Sequence, residues 1–295
     1  MNIRIKTFLK KAKLLAPLVI FYRNYRTNKN FKKEKFRDEI LESILKNVKS
    51  REIILILNEF LGEFKIGIDS DLLKRYLQFG EYENDIIKVI KDNIEPSLDF
   101  IDVGANIGLF TVFASKIIND DSKVLAIEPT PNAFKRLKDN INRNSIQKKV
   151  FLFDGVVSDK IGELELETID GMEEYSSLGK IVQVSSDTFK KSIIKVASET
   201  IDNLVEINNI KPGFIKIDTE GAEFRVLTGA IETIKKFNPI ILSELCDDYL
   251  ITMGNNSKQV VTLLETLNYR VTNLKDGTNK IEYPFRGNIL AIPNN

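Results

Sequence analysis

Carboxylates and glycines at the ends of apolar runs are the residues that could do chemistry. Asp102-Val103-Gly104-Ala105-Asn106-Ile107-Gly108 follows the apolar run Leu98 to Ile101 and reads as a buried strand ending on an acid, then a glycine turn, then a helix. A turn without Cβ atoms exposes backbone N–H groups and lets a ligand come close. Lys123-Val124-Leu125-Ala126-Ile127-Glu128-Pro129 is a second apolar strand, closing on Glu128 about 20 residues further on. At the carboxyl edge of a parallel sheet such a carboxylate reaches the ribose hydroxyls of a nucleoside ligand. The pair predicts a site for an adenosine-type cofactor. The dinucleotide fingerprint is missing, because three residues separate Gly104 from Gly108, and no phosphate loop with its lysine is present. An acid before the turn with no cationic neighbour suits a positive ligand, and the sulfonium and ammonium of S-adenosylmethionine fit. The same letters also fit a glycine-rich turn in another kind of α/β protein.

A third junction repeats the grammar. Phe214-Ile215-Lys216-Ile217-Asp218-Thr219-Glu220-Gly221-Ala222-Glu223 ends a strand on an acid and turns through glycine on the same sheet edge. Glu220 and Glu223 have a plain structural reason to be there, since acids in a first helical turn gain about 0.3–1 kcal/mol from the macrodipole. Asp218, at the end of a buried strand, needs an electrostatic reason. The chain contains no histidine, which removes every imidazole base, nucleophile or ligand and with them a Ser-His-Asp hydrolase. The single Cys246 leaves no intrachain disulfide and too few soft ligands for zinc, and fits a reducing, cytoplasmic compartment.

These groups must be carried by alternating strands and helices. Strands are predicted at 99–103, 123–128, 150–153, 214–218, 239–243 and 269–273. Helices are predicted at 107–118, 131–144, 199–208, 222–236 and 257–268. That order predicts a doubly wound, Rossmann-like parallel sheet with helices on both faces. The pattern breaks between Asp159 and Val196, where Glu163 to Glu167 alternates and Ile181 to Val184 is strand-like. A β insertion near 160–197 is expected there, and Asn288 to Ile292 is expected to close the sheet as a last antiparallel strand. Before the sheet, Phe36 to Leu61 carries apolar residues at helical spacing, Phe64, Ile66 and Ile68 alternate as a short strand, and Ser70 offers a cap to a helix from Leu72. Glu83 to Ile94 is one more helix. Residues 1–95 are therefore expected to form a mostly helical extension, and 96–295 the cofactor-binding domain.

The formal charge of +1 conceals an asymmetry. Residues 1–37 hold twelve Lys/Arg and one acid, Glu34, whereas the remainder holds 31 basic and 41 acidic residues. A basic arm on an acidic body suits an anionic membrane face or an acidic partner, and equally a solvated tail. Its apolar stretch Leu14 to Tyr22 is interrupted by Pro17 and falls short of the roughly 20 residues a spanning helix needs. No cleavage site follows it. With Phe8, Phe21 and Tyr22 among the cations, the expectation is peripheral contact at the inner membrane face. Nothing here predicts a nucleic-acid partner.

Taken together, Asp102 to Gly108, Glu128-Pro-x-Pro-x-x-Phe134-x-x-Leu137, Thr200-Ile201-Asp202, Lys216 to Glu223 with Val226-Leu227-x-Gly229-Ala230, and the approach Phe79-Gly80-Glu81-Tyr82-Glu83 resemble the FkbM-type S-adenosylmethionine-dependent methyltransferases. The resemblance runs from about Gly80 to Leu245. It implies a class I methyltransferase sheet and, usually, O-methylation of a sugar or similar small-molecule hydroxyl. On that footing Asp102 and Gly104, Ala105, Asn106 and Gly108 would line the methionine part of the cofactor. Glu128 would hold the ribose, and Asp154, Gly155 and Val156 would flank the adenine. The base that draws the proton from the acceptor would be Asp218, with Glu220, Glu223, Lys216 or a tyrosine as alternatives. A divalent ion, Mg²⁺ by the oxygen-only donor set, held by Asp218 and Glu244 would be another route. Aminopropyl transfer on the same fold, or a membrane-attached binder without catalysis, would use the same cofactor motifs.

Overall fold

Strands that are apolar on both faces need cover on both, and the order of elements supplies it. The structure is a computed structural model that describes residues 51–68, 70–169, 176–179, 181 and 191–294. The basic arm and the helical pattern of Phe36 to Val48 lie outside those residues. Strands β1 (Glu52–Leu57) and β2 (Gly62–Gly67) form an antiparallel hairpin, followed by helices α1 (Asp71–Phe79) and α2 (Asn84–Asn93). The central sheet draws on β3 (Asp99–Val103), β4 (Val124–Glu128), β5 (Val150–Asp154), β9 (Pro212–Ile217), β10 (Ile240–Cys246), β11 (Tyr269–Asn273) and β12 (Arg286–Pro293). Between them run α3 (Leu109–Ile117), α4 (Pro131–Arg143), α5 (Ile201–Asn208), α6 (Glu223–Thr228), α7 (Ile231–Phe237), α8 (Asp247–Leu250) and α9 (Ser257–Thr266).

The strand order is β11-β12-β10-β9-β3-β4-β5, parallel from β10 to β5 and antiparallel on both sides of β12. This is the class I methyltransferase arrangement. The last strand is antiparallel, as the sequence led us to expect, and it lies between β10 and β11. Its connection from β11, residues 274–285, brings the chain back antiparallel beside that strand.

One apolar layer joins β3, β4, β9 and β10 to α5, α6, α7 and α9. The other joins the opposite face to α3, α4, α2 and the β1–β2 hairpin, so the core continues through residue 95 without a break. Phe60 packs edge-on against Phe110 at 5.4 Å. Two buried asparagines, Asn140 of α4 and Asn144 capping its C-terminus, complete the weld. Asn144 accepts from Glu63 N (3.0 Å) and donates to Glu63 O (2.7 Å), while Asn140 accepts from Lys65 N (2.7 Å). These amides pair with β2 as another strand would, and so satisfy a backbone edge that is buried.

The helix read from Phe36 to Leu61 fails over its last ten residues, which are β1 and a short 3₁₀ turn at Asn58–Phe60. A continuous apolar run satisfies either period. Here exposure alternates, with Ile54 and Ile56 outward and Leu57 buried. Helix 222–236 is in fact two helices, broken at Gly229-Ala230. A Cβ on Gly229 would sit 2.0 Å from Ser158 O, so the chain there is pinned against the neighbouring turn. The inserted strands are β7 (Gly162–Ile169) and β8 (Lys191–Glu199), with the two-residue β6 (Val156–Val157) beside β8. Of the strand-like run Ile181 to Val184 only Ile181 is described, and it is not in a strand.

Candidate functional site

The carboxyl ends of β3, β4, β9 and β10 open into one cavity of about 300 Å³, roofed by α1, the start of α2 and the insertion. Its floor is made by two strand-end turns. At the first, Gly104 has φ +78°, and a Cβ there would lie 1.9 Å from Asp218 O. The glycine is thus required by the close approach of β3 and β9, in addition to any need of a ligand. Asn106 follows in the left-handed region at φ +50°. Its N–H donates to Glu128 Oε2 (2.9 Å), while Glu128 Oε1 takes Thr130 N (2.8 Å) and Thr130 Oγ1 (2.5 Å). Glu128 is buried, and burial pushes its carboxyl up to about 7 against the opposing Thr130 and Asn106 hydrogen bonds. Carboxylate oxygens accept two bonds each, so Oε2 keeps capacity toward the cavity.

The second turn is folded over an acid in the same way. Glu223 Oε1 accepts from Thr219 N (3.2 Å), Thr219 Oγ1 (3.0 Å) and Gly221 N (3.0 Å), with Glu220 at φ +51° and Gly221 at φ +111°. From the insertion, Ser177 Oγ donates to Glu220 O (2.8 Å). Glu223 is buried and holds the turn. It is not part of the cavity wall, so its candidacy as base is withdrawn.

Beneath the turns Lys216 is buried with its ammonium 3.2 Å from Asp218 Oδ2, 3.9 Å from Asp102 Oδ1 and 4.9 Å from the Phe110 ring centre. Burial alone would lower its pKa, but Asp218, Asp102 and Glu83 raise it above the ordinary lysine value. Asp102 is fully buried, accepts from Thr111 Oγ1 (2.6 Å), and leaves Oδ1 without a hydrogen bond among the described residues. It lies behind the cavity wall, where the sequence pattern suggests direct contact with the cofactor. Lys216 also corrects the expectation that no cation accompanies this acid.

Around Asp218 stand three more carboxylates. Burial first, then the charge of Asp218, pushes Glu83 up to about 7, Glu220 up to about 9 and Glu244 up to about 7. Glu83, Arg75 and Arg286 line the cavity, and the sequence pattern does not single them out as site residues. Glu83 ends the approach motif at φ +50°, where it starts α2, and that motif is the one signal in the sequence that points to it.

Of the expected cofactor residues, Gly104, Ala105, Asn106, Glu128, Gly155 and Val156 line the cavity. Gly108 and Asp154 do not. Gly108, at φ +90°, faces Leu137 of α4, where a Cβ would meet Cδ1 at 2.5 Å, and Asp154 is exposed at the end of β5. Thr200 and Asp202 are structural as well. Thr200 caps α5, and Asp202 accepts from Thr233 N (2.7 Å) and Glu232 N (3.2 Å) at the start of α7. Asp218 and Glu244 both face the cavity, yet no group of three His, Cys, Asp or Glu side chains among the described residues has metal-holding geometry. The Mg²⁺ route therefore has no donor set to support it.

Residues 102–271 match the methyltransferase FkbM domain. The hexuronic acid methyltransferase AglP of Haloferax volcanii is 29% identical over 187 residues, covering 62% of this chain and 67% of that protein. Methyltransferase 1 of Beauveria bassiana is 29% identical over 167 residues, covering 50% and 64%. The chain thus spans about two thirds of the length of these curated relatives. Among solved structures, methyltransferase FkbM from Methylobacillus flagellatus aligns with a TM-score of 0.46 at 16% identity, covering 75% of this chain and 52% of that one. The family match takes in both floor turns, Lys216 and Glu244, over more than half of the sequence, and the chain belongs to the FkbM-domain methyltransferase family.

Proposed function

We propose that the chain transfers a methyl group from S-adenosylmethionine to a hydroxyl of a sugar, glycan or similar small-molecule acceptor, with Glu244 as the base. The hexuronic acid methyltransferase among its relatives supports a sugar acceptor. The observation that carries the reading is the division of the cavity. Gly104 to Asn106, Glu128, Gly155 and Val156 form one half, and Asp218, Glu220 and Glu244 form the other. The first half fits the cofactor: a turn of backbone amides, a carboxylate with a lone pair to spare for a ribose hydroxyl, and a short apolar segment for adenine. S-adenosylmethionine, when bound, supplies an electrophilic methyl group on a sulfonium.

The other half deals with the acceptor's proton. A hydroxyl is a weak nucleophile until its proton is drawn away, and a base works best with a pKa near the working pH. Asp218 is the base expected from the sequence, but its carboxylate is engaged by Lys216 at 3.2 Å. Glu244, pushed up to about 7 by burial and by the charge of Asp218, is half ionised at neutrality and binds a proton more tightly. In this reading Asp218 tunes Glu244 and Glu244 takes the proton. Holding both reactants over adjoining strand ends contributes the positioning on which such a displacement depends.

The test uses methyl-labelled cofactor with sugar acceptors. Turnover should rise through about pH 7 as Glu244 loses its proton. Glu244→Gln should lower kcat by about a hundredfold or more. Asp218→Asn removes a negative charge beside Glu244, so its pH limb should move to lower pH. Near-normal turnover in Glu244→Gln assigns the base elsewhere, and a label that reaches no hydroxyl removes O-methylation.

A further inference from the structure

Arg286 is the first residue of β12 and pairs in register with Cys246, two residues past the cavity-lining Glu244 of β10. Because β12 is antiparallel, its first residue lies on the edge where the parallel strands end. Its side chain is exposed and lines the cavity, and it makes no hydrogen bond or ion pair among the described residues. Arg75, across the cavity on α1, is already engaged, with Asp71 at 3.8 Å and the Tyr82 ring at 5.9 Å. A guanidinium left open at a cavity rim is suited to a planar oxyanion, which it grips through two parallel N–H bonds.

The sheet order decides which ligand that oxyanion belongs to. From β12 to β3 there are three steps across the sheet, through β10 and β9, or roughly 14 Å at about 4.8 Å per step. The cofactor half lies at the ends of β3, β4 and β5. Arg286 stands beside Glu220 and Glu244, on the acceptor's side.

We propose that Arg286 is a specificity-determining residue that grips a carboxylate carried by the acceptor, so that the acceptor is an acidic sugar of the uronic acid class and the methyl group goes to one of its ring hydroxyls. The inference rests on the sugar hydroxyl reading above. Of the neighbouring acids, the one whose electrostatics Arg286 reaches is Glu220. Glu220, pushed up to about 9, is protonated at neutral pH and presents a hydrogen-bond donor in place of a repelling charge.

The full chain is assayed with methyl-labelled cofactor on a glucuronic acid glycoside, its methyl ester, the matching glucose glycoside and glucose 6-phosphate. Wild type should prefer the glucuronide over the ester and the neutral sugar by tenfold or more in kcat/KM. Arg286→Gln should raise the glucuronide KM by about 10–100-fold, the range for a charged hydrogen bond. Arg286→Lys should recover part of it. Binding of the glucuronide to protein saturated with S-adenosylhomocysteine, followed by calorimetry, should weaken in Arg286→Gln by the same factor. A KM effect on the cofactor in place of the acceptor would hand Arg286 to the methionine carboxylate and overturn the proposal. So would a preference for the phosphate or the neutral sugar, or one that Arg286→Gln leaves intact. If the glucuronide binds through Arg286 but no methyl is transferred, the acceptor assignment stands and the reaction assigned above falls. If it neither binds nor reacts, this inference falls alone wherever another sugar is methylated.

Discussion

The two floor turns of the cavity are built alike and differ in how many acids surround them. Each is a left-handed kink folded over a buried acid, Glu128 under Asn106 and Glu223 under Gly221. In the cofactor half Glu128 stands apart from other acids, and three hydrogen bonds from the chain work against the burial that pushes it up to about 7. In the acceptor half Glu83, Glu220 and Glu244 crowd around Asp218, and each of the three glutamates is driven toward its protonated form. One half holds a single acid in a net of hydrogen bonds. The other stores unfavourable charge that only protons, or a positive ligand, relieve. A cofactor bearing a sulfonium suits that division, because it brings its charge to the border between the two halves.

The comparison is broken most severely at Lys216, the one cation within reach of both Asp102 and Asp218 among the described residues. Lys216→Met keeps the volume and removes the charge, leaving Asp102 buried with Thr111 as its remaining hydrogen-bond partner. Breaking a buried pair from one side costs about 3–5 kcal/mol. Urea denaturation of Lys216→Met should show a loss of that size, and a loss below about 1 kcal/mol would mean that Asp102 is carried neutral. The cofactor half responds more mildly. Glu128→Ala removes the acceptor for Asn106 N–H and for the ribose hydroxyls, and should weaken S-adenosylmethionine binding by about 1–3 kcal/mol, the cost of losing a charged hydrogen bond. Calorimetry giving unchanged affinity would take the ribose away from Glu128.

The same asymmetry explains what is legible in the sequence. Gly104, Glu128 and Asp218 stand at the ends of apolar strands, so local pattern alone places them on one sheet edge. Glu223 and Asp102 occur in the same motifs, but their work is to hold a turn and to hold Lys216, and spacing does not separate a wall residue from the one behind it. Glu83, Arg75 and Arg286 come from a helix start, a helix and an antiparallel strand far apart in the chain, and only the packing of α1 and β12 against the strand ends joins them. The 52–57 run fails as a helix because six residues rich in isoleucine and leucine satisfy both periods. The partner that settles the matter, β2, is recruited in part by Asn140 and Asn144, within and capping a helix some 75 residues downstream.

The crowding of the acceptor half also predicts how stability changes with pH. Glu220 has an ordinary value near 4.5 when unfolded and is pushed up to about 9 when folded, by burial first and then by Asp218, Glu244 and Glu223. The folded chain therefore holds this proton more tightly than the unfolded chain. Its contribution is fully present below about pH 4.5 and is lost as pH rises through about 9. Glu83 and Glu244 act in the same direction and are spent by about pH 7. Without ligand, the melting temperature should fall between pH 5 and pH 9. Glu220→Gln keeps the shape and removes the titration, so its melting temperature should fall less over the same interval and exceed that of wild type at pH 9. The gain should be about 2–4 °C for each kcal/mol relieved in a chain of this size. Melting curves of the two proteins that stay parallel from pH 5 to pH 9 would show that Glu220 is ionised at no cost, and the contrast between the two halves of the cavity would then rest on Glu83 and Glu244 alone.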